Sequence, residues 1–368
     1  MVTLFLIAAI FILYTYAGYP LLLKWRKSYS PPGSVPPEIW PEVSLIIPAY
    51  NEEAVLRQKI ENSLRLNYPK GKVKIVVVLD GSTDGSAAIA RSFPTITILE
   101  NPRHRGKMSV LNQALSSLST ELVAFTDASA IWREDALREL VAPFDDPTVG
   151  AVSGELILKE EETRSGGLRV DWYWKIEKYI RKQESRIFSC LGATGAIYTI
   201  RRSLFQPLPE DTILDDMLIP LNALKRSCRI LFNPRARAYE SNSTNSRDEF
   251  RRKLRTLYGN YQIFARASWT IIPGRSRMAL GMVSHKLFRL LIPFALILLL
   301  FSSFSGSPIL RGIFYLQFLF YLLAAVGWGS SRLRKLKIFS LPFTFCLLNG
   351  AALAAFFYWT RGKPPAWR

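Results

Sequence analysis

Four long stretches without a charged side chain constrain this chain more than any other feature of its sequence. Each is 20 to 23 residues long and contains no Asp, Glu, Lys or Arg; they are 2–23, 290–310, 312–331 and 338–360. A bilayer core of about 30 Å is crossed by roughly 20 apolar residues in a helix. We therefore predict four membrane-spanning helices, which excludes a wholly soluble enzyme, a secreted disulfide scaffold and a nucleic-acid-binding domain.

The amino-terminal stretch is either a cleaved signal peptide or a permanent anchor. It is longer than a typical signal core, no basic residue precedes it and no clear cleavage site follows it. We predict an uncleaved anchor over residues 1–27. Three widely spaced cysteines, Cys190, Cys228 and Cys346, fit neither a disulfide framework nor a zinc site and favour a reducing compartment.

Basic residues cluster beside the apolar stretches, and the whole chain contains 48 Lys and Arg against 29 Asp and Glu. Because such residues mark cytoplasmic flanks, we predict a multi-pass protein of the inner (plasma) membrane whose large central region is cytoplasmic. The tail 361–368 conflicts with this orientation, since it would lie outside with three basic residues. Either the rule is violated there, or one of the three later stretches is re-entrant or interfacial.

The central region alternates short apolar runs with helix-like segments. The runs are 43–50, 74–80, 95–100 and 121–128, and the helical segments include 52–66 and 107–118. This alternation predicts an α/β domain with a mostly parallel sheet over residues 43–265. We expect a proline-rich linker before it, a basic interfacial segment after it and then the last three spans; these are 28–42, 266–289 and 290–360.

Two acidic residues fall where such sheets bind ligands, beyond the carboxyl ends of the strands. Asp80 opens a glycine-containing loop and suits contact with a nucleotide base or ribose; alternatively, it stabilises a turn. Asp127 suits a divalent cation that bridges two phosphates, and a helix N-cap is an equal alternative.

Further charged residues suit proton abstraction or the binding of phosphate groups. Asp215 and Asp216 are adjacent carboxylates among apolar neighbours, which favours a raised pKa and a general base; the alternative is a surface pair at a helix start. Lys107 ends a basic loop that either grips phosphate or is a solvated charge run. Arg252 and Arg255 lie in a basic run that suits phosphate, anionic lipid headgroups or both.

Seven motifs occur along the chain in a recognisable order. They are VSLIIPAYNEE (43–53), DGSTDGS (80–86), GKMSVLNQAL (106–115), Asp127 with its strand, GATGAI (192–197), Asp215-Asp216 and Arg252-x-x-Arg255. Together they resemble the membrane-integrated family-2 glycosyltransferases, the group containing cellulose, hyaluronan and poly-N-acetylglucosamine synthases. The resemblance covers roughly residues 43–260. It implies a GT-A nucleotide-sugar-binding fold, an inverting mechanism and a divalent metal, Mg²⁺ or Mn²⁺.

The resemblance also implies roles for individual residues. Asp216 would be the catalytic base, and Asp127 would hold the metal. The residues implied to bind the donor nucleotide are Tyr50, Asp80, Lys107, Asp127, Arg252 and Arg255. Those implied to line the acceptor site are Gly192, Thr194 and Gly195. The two arginines are expected in a loop that substrate orders over the diphosphate.

Two positions depart from the family pattern. Ser129 stands where many members carry the second Asp of the metal motif, so metal binding would rest on Asp127 and phosphate oxygens. Thr256 stands where processive synthases carry a Trp that stacks on the acceptor sugar. The second departure argues against processive polymerisation, although not against sugar transfer.

By this likeness we expect transfer of sugar from a nucleotide diphosphate sugar, with UDP the expected nucleotide. The expected acceptor is a polysaccharide or lipid-linked glycan, in exopolysaccharide or cell-envelope glycan synthesis. Membrane lipids and proteins of polysaccharide export are expected partners, and nucleic acid is not. The alternative is a non-catalytic membrane scaffold of an export complex, while a transporter is disfavoured because the spans lack charges within the membrane.

Overall fold

The computed structural model describes residues 1–26, 37–159, 171–241, 246–304 and 307–364. They form two compact units. The sheet unit lies within Lys27–Glu161 and Arg181–Asn242, and the helical unit within Met1–Arg26, Glu162–Ile180 and Ser243–Arg368. The domain boundaries set out above stay predictions. Residues 28–36 of the expected linker and 365–368 of the tail lie outside the described residues.

The sheet unit contains one eight-stranded sheet among the residues described. Its strands are β1 Val43–Ala49, β2 Val73–Asp80, β3 Thr97–Asn101, β4 Leu122–Phe125, β5 Ile131–Trp132, β6 Val149–Lys159, β7 Tyr198–Arg201 and β8 Arg229–Ser241. Their order in space is β3-β2-β1-β4-β7-β6-β8-β5. The first four run parallel, as the alternating pattern predicts. Antiparallel pairings of β7 with β4 and β6, and of β5 with β8, make the whole sheet mixed.

Helices occur in both units. In chain order the described α-helices are α1 Val2–Leu13, α2 Tyr19–Trp25, α3 Glu53–Leu64, α4 Ser86–Arg91, α5 Lys107–Ser117, α6 Ala136–Val141, α7 Asp171–Ile187, α8 Asp215–Lys225, α9 Ser246–Arg266, α10 Ala279–Gly281, α11 Phe288–Phe304, α12 Pro308–Gly329 and α13 Lys337–Thr360. Wider π-type turns join α1 to α2 at Tyr14–Gly18, and α10 to α11 at Met282–Leu287. Each joined pair is therefore one continuous helix.

Both faces of the sheet are buried, because successive strand residues point to opposite sides. Leu45 and Ile47 of β1 face one side and Ile46 the other, and all three are fully buried. Helices α3, α4 and α6 pack on the first side, and α5 and α8 on the second. With both faces covered, the loops after β1, β2 and β4 meet at the carboxyl edge of the parallel strands.

Four of the described helices are long and apolar enough to cross a membrane. They are Val2–Trp25, Ala279–Phe304, Pro308–Gly329 and Lys337–Thr360. Each overlaps one of the four charge-free stretches of the sequence, although the second begins at Ala279, ahead of the predicted stretch 290–310.

The first two of these long helices are paired at their π-type turns. The Tyr14 hydroxyl lies 2.8 Å from the Ser284 hydroxyl oxygen, and each residue belongs to one of the wider turns. The rings of Phe11 and Tyr14 pack on Phe288, with centroids 4.8 and 5.9 Å apart. Specific side chains thus hold α1 against the segment that leads into α11.

Helix α9 carries Arg252 and Arg255, so the prediction of a loop at this point is wrong. Apolar and aromatic side chains recur every three or four residues between the charged ones, which gives the segment one apolar helical face. That face packs along α13, where Tyr258 and Tyr261 lie against Trp359 with ring centroids 5.4 and 6.1 Å apart. Within the basic run, Arg251, Arg252 and Arg255 are exposed and Lys253 is partly buried.

Candidate active site

A lysine and three carboxylates meet at the carboxyl edge of β4. Lys107 begins α5, and its Nζ lies 3.0 Å from Asp127 Oδ1, just after β4, and 3.4 Å from Asp215 Oδ2 at the start of α8. Burial opposes the charged form of Lys107, but Asp127, Asp215 and Asp216 outweigh burial and raise its pKa. This lysine therefore carries a fixed positive charge at the centre of the site.

The loop at 192–197 brings Asp216 to the same point. The Gly195 amide donates a hydrogen bond of 3.0 Å to Asp216 Oδ2. A Cβ built on Gly195 would lie 3.5 Å from that oxygen and 3.6 Å from Asp127 Oδ2. The two carboxylate oxygens are therefore within about 7 Å of each other, and both face Gly195.

Asp216 has the character of a base that works near neutral pH. Burial and then the neighbouring charge of Asp215 raise the pKa of Asp216 to about 6; Lys107 and the Gly195 amide oppose the shift, and Asp127 adds to it. A carboxylate with such a pKa is mostly ionised at pH 7 and still accepts a proton more readily than an exposed Asp.

We expect kcat/KM to rise with pH through about 6, because a base acts in its deprotonated form and kcat/KM reports groups of the free enzyme. Initial rates of sugar transfer measured across this range would give the midpoint. In Asp215→Asn the midpoint should move to lower pH, since a neighbouring negative charge that raises the pKa of Asp216 is gone. A midpoint that stays in place in this variant would contradict the assignment of the acid limb to Asp216.

Asp80 is bound within the protein at the loop that precedes Lys107. Its carboxylate accepts the backbone N–H groups of Arg105 and Gly106 at 2.9 and 2.8 Å and lies 2.7 Å from His104 Nδ1. The side chain is buried. In this structure Asp80 therefore fixes the start of α5, and its contact with a nucleotide base stays a prediction.

Tyr50 lies half-exposed at the end of β1, stacked on the His104 ring with centroids 3.8 Å apart. His104 in turn contacts Asp80. One ring face of Tyr50 is thus covered by the protein. Contact of the Tyr50 ring with a nucleotide base stays a prediction.

The other predicted residues are placed as follows. Gly192 packs tightly on α8, because a Cβ there would lie 2.6 Å from Met217 Cγ. The Thr194 hydroxyl accepts a hydrogen bond of 2.5 Å from Arg181. The sheet unit thus brings Lys107, Asp127, Asp216 and the 192–195 loop together. Arg252 and Arg255 belong to the helical unit, where Arg252 pairs with Glu249.

The acidic residues at this edge suit a metal held jointly with substrate. Among the residues described, no group of three His, Cys, Asp or Glu side chains is placed to hold an ion alone. Asp127 nevertheless presents a carboxylate beside Lys107, at the edge where a diphosphate would lie. Mg²⁺ and Mn²⁺ commonly bind through one or two carboxylates and substrate phosphates, so the donor set fits such an ion.

Sequence reasoning missed two side chains that hold the segment around Asp127. Ser129 donates a 2.6 Å hydrogen bond to Glu240 Oε1 from β8, a contact between distant positions without any local signal. Lys59 of α3 donates to the Thr126 hydroxyl at 2.7 Å. A signal existed for Lys59, because it interrupts the apolar stripe of an amphipathic helix.

Residues 44–208 match the family described as Glycosyl transferase family 2. This segment is a family-2 glycosyltransferase domain. The resemblance found in the sequence motifs is therefore confirmed. The glycosyltransferase domain contains Lys107, Asp127 and the 192–197 loop, whereas Asp215 and Asp216 follow the matched segment.

Curated relatives of this domain are glycosyltransferases as well. The poly-beta-1,6-N-acetyl-D-glucosamine synthase of Staphylococcus epidermidis is 22% identical over 237 residues, covering 62% of this chain and 57% of that protein. The Bacillus subtilis protein YdaM, a probable glycosyltransferase, is 26% identical over 256 residues, covering 65% and 58%. The chain thus spans less than two thirds of the length of either relative.

A solved structure shares the fold. The mannosyltransferase PcManGT from Pyrobaculum calidifontis, in complex with GDP-Man and Mn²⁺, superposes with a TM-score of 0.72 at 24% identity. The match covers 96% of this chain and 98% of that chain. The expected GT-A fold is thereby confirmed.

Proposed function

We propose that this protein is an inverting, membrane-bound glycosyltransferase. It takes a sugar from a nucleotide diphosphate sugar, with UDP the expected nucleotide, and gives it to a polysaccharide or lipid-linked acceptor in exopolysaccharide or cell-envelope glycan synthesis. The observation that carries this proposal is the meeting of Lys107, Asp127 and Asp216 around Gly195. A non-catalytic scaffold would not need three carboxylates grouped around one lysine at a strand edge, where like charges repel each other and Asp215 is buried.

The donor end of the site stabilises the leaving diphosphate. Lys107 supplies fixed positive charge, and Tyr50 offers a ring on which the nucleotide base stacks. Asp127 would hold a Mg²⁺ or Mn²⁺ ion, which when bound neutralises charge on the phosphate oxygens. The mannosyltransferase of the same fold was solved with GDP-Man and Mn²⁺, which supports a metal and leaves GDP as the second candidate nucleotide.

The acceptor end of the site removes a proton. In an inverting transfer the acceptor hydroxyl attacks the anomeric carbon as a base takes its proton. Asp216 is that base: its pKa of about 6 suits the task, and the Gly195 amide orients one of its oxygens. The other oxygen then accepts the proton from a hydroxyl placed by the 192–195 loop.

Four apolar helices of spanning length support a membrane setting for this chemistry. We assign the four apolar helices to the inner membrane, with the sheet unit on the cytoplasmic side, in agreement with the basic residues beside the spans. Proteins of polysaccharide export are the expected partners at the opposite face.

A single sugar addition is favoured over processive synthesis. Thr256 lies exposed on α9 and donates a 3.0 Å hydrogen bond to the Arg252 carbonyl. It offers no ring on which an acceptor sugar stacks. The names of the Staphylococcus relatives, poly-N-acetylglucosamine synthases, keep a polymeric product as the second candidate.

The decisive experiment supplies the purified protein in lipid with a panel of UDP- and GDP-linked sugars and sizes the product. Transfer of one sugar to a lipid-linked acceptor supports the proposal in full, and a ladder of products supports the processive form. If no donor on the panel is hydrolysed, bound or transferred, the scaffold hypothesis replaces the enzyme.

We expect Arg255→Lys to lower turnover about tenfold while donor affinity changes little, because lysine keeps the charge and loses the bidentate fork for phosphate. Arg255 is exposed on α9, and Arg251→Lys, on the exposed side of the same helix, is the matched control. Turnover is measured in anionic bilayers and in neutral detergent. Normal turnover of Arg255→Lys in both would remove this arginine from catalysis and leave it a lipid-facing charge.

A further inference from the structure

Lys59 is a lysine in the interior of the sheet unit. It belongs to the buried stripe of α3, between Leu56 and Ile60, and is fully inaccessible to solvent. An ammonium group in such a place destabilises a fold unless its donors are satisfied. Burial lowers the pKa of Lys59 to about 7, while the charge of Asp127 opposes the shift. A purely structural position here would be served by an apolar side chain.

The partners of Lys59 lie at the two ends of the segment that carries Asp127. Its Nζ donates to the Thr126 hydroxyl at 2.7 Å and to the Ala130 carbonyl at 2.5 Å, and lies 5.1 Å from the centroid of the Trp132 ring. Within the segment, the Ala130 amide donates to the Asp127 carbonyl at 3.2 Å. Lys59 thus ties both ends of the turn to α3.

The same contacts continue to the loop that holds Asp216. The Thr126 hydroxyl donates to the Ala196 carbonyl at 3.1 Å, and the Trp132 indole N–H donates to that carbonyl at 2.8 Å. The neighbouring Gly195 amide binds Asp216 Oδ2. The Thr126 hydroxyl accepts a hydrogen bond from Lys59 and donates one to the Ala196 carbonyl. One hydroxyl thus links the segment that carries Asp127 to the loop that binds Asp216.

We propose that Lys59 is a positioning residue that sets the Asp127 carboxylate and the Gly195 amide relative to each other. It acts through Thr126 and Ala130 and touches none of the reacting groups. The inference rests on the proposed function, because it gives these two groups their roles at the phosphate and acceptor ends. It adds that the positions of the Asp127 carboxylate and the Gly195 amide both depend on the buried amine of Lys59.

The first test is independent of activity. Amide hydrogen exchange is measured in the full-length protein in lipid without ligand, for Lys59→Met and for Thr126→Val, which removes only the hydroxyl. We expect faster exchange at Ala130 and Gly195, and unchanged exchange in α5. Ile60→Val creates a small cavity on the same helix and controls for a general loss of stability. It should leave the exchange rates of the Ala130 and Gly195 amides unchanged. Exchange that rises everywhere, or nowhere, would overturn the inference.

The second test measures binding of Mn²⁺ by electron paramagnetic resonance in the presence of UDP. Loss of hydrogen bonds to a charged group should weaken the Mn²⁺ affinity of Lys59→Met and Thr126→Val by about tenfold or more. Thr126→Ser keeps the hydroxyl and should restore wild-type affinity. A merely structural role of Lys59 predicts that the folded fraction of every variant binds Mn²⁺ normally, which would contradict the inference.

The two proposals fail in different ways. If wild type binds no nucleotide diphosphate with or without metal, the proposed function falls, and the positioning role falls with it. If wild type binds Mn²⁺ with UDP and the variants bind equally well, the function stands and Lys59 is a core residue only.

Discussion

Asp216→Asn loses turnover by about 10²-fold or more and keeps its affinity for the donor. The magnitude is typical of removing a general base, and an amide of the same shape still accepts the Gly195 hydrogen bond. Under the proposed function Asp216 acts on the acceptor hydroxyl, so its replacement should leave Lys107 in place to contact the diphosphate. Turnover and nucleotide affinity measured on the same preparation test both halves of the expectation.

Asp215→Asn is the matched control for this experiment. Asp215 is adjacent in sequence and more deeply buried, and it lies 3.4 Å from Lys107 rather than at the Gly195 amide. We expect this variant to retain most of its turnover at pH 7.5. An inactive Asp215→Asn together with an active Asp216→Asn would mean that the base has been assigned to the wrong residue of the pair.

Asp127→Ala abolishes sugar transfer and the dependence of UDP affinity on metal. Removing a group that stabilises charge on the leaving phosphates costs about 10²- to 10³-fold in rate. Affinity for UDP without metal should not fall, because Lys107 loses one of its carboxylate partners and becomes available to phosphate. Isothermal titration with and without Mn²⁺ separates the two effects.

An exposed carboxylate of the same unit provides the comparison for Asp127. Asp135 is half-exposed and paired with Arg133, and Asp135→Ala should leave metal-dependent UDP binding unchanged. If wild type and Asp127→Ala bind UDP equally, and metal changes neither, Asp127 is not a metal ligand.

The parallel strands of the sheet were predictable because each one is a continuous apolar run in the sequence. Runs such as 43–50 and 74–80 are buried on both faces, so they read as continuous apolar strands, and β1 and β2 are found there. The antiparallel pairing of β7 with β4 and β6 was not predicted, because β7 is a run of only 4 residues, Tyr198–Arg201, too short to show a clear strand pattern. These antiparallel pairings make the sheet mixed.

The residues that meet at this strand edge were predictable from the motifs that contain them, while their roles stay predictions. Lys107, Asp127 and Asp216 were each identified singly, and the structure brings them to one edge. The expectation for Arg252 and Arg255 named a loop, whereas an apolar face that packs on α13 makes the segment helical. The apolar face of this segment is not evident when only its charged residues are considered.

The paired π-type turns of the first two long helices limit how this protein can be rearranged. A helix that only had to be apolar and long enough to span a bilayer could be replaced by any other such helix. Here Ser284 is buried and its hydroxyl bonds to Tyr14, while Phe288 receives the rings of Phe11 and Tyr14. A foreign helix in place of Val2–Trp25 would leave the Ser284 hydroxyl without its Tyr14 partner and the Phe288 ring uncovered. The two helices therefore form a matched pair, and exchanging one of them requires exchanging the other.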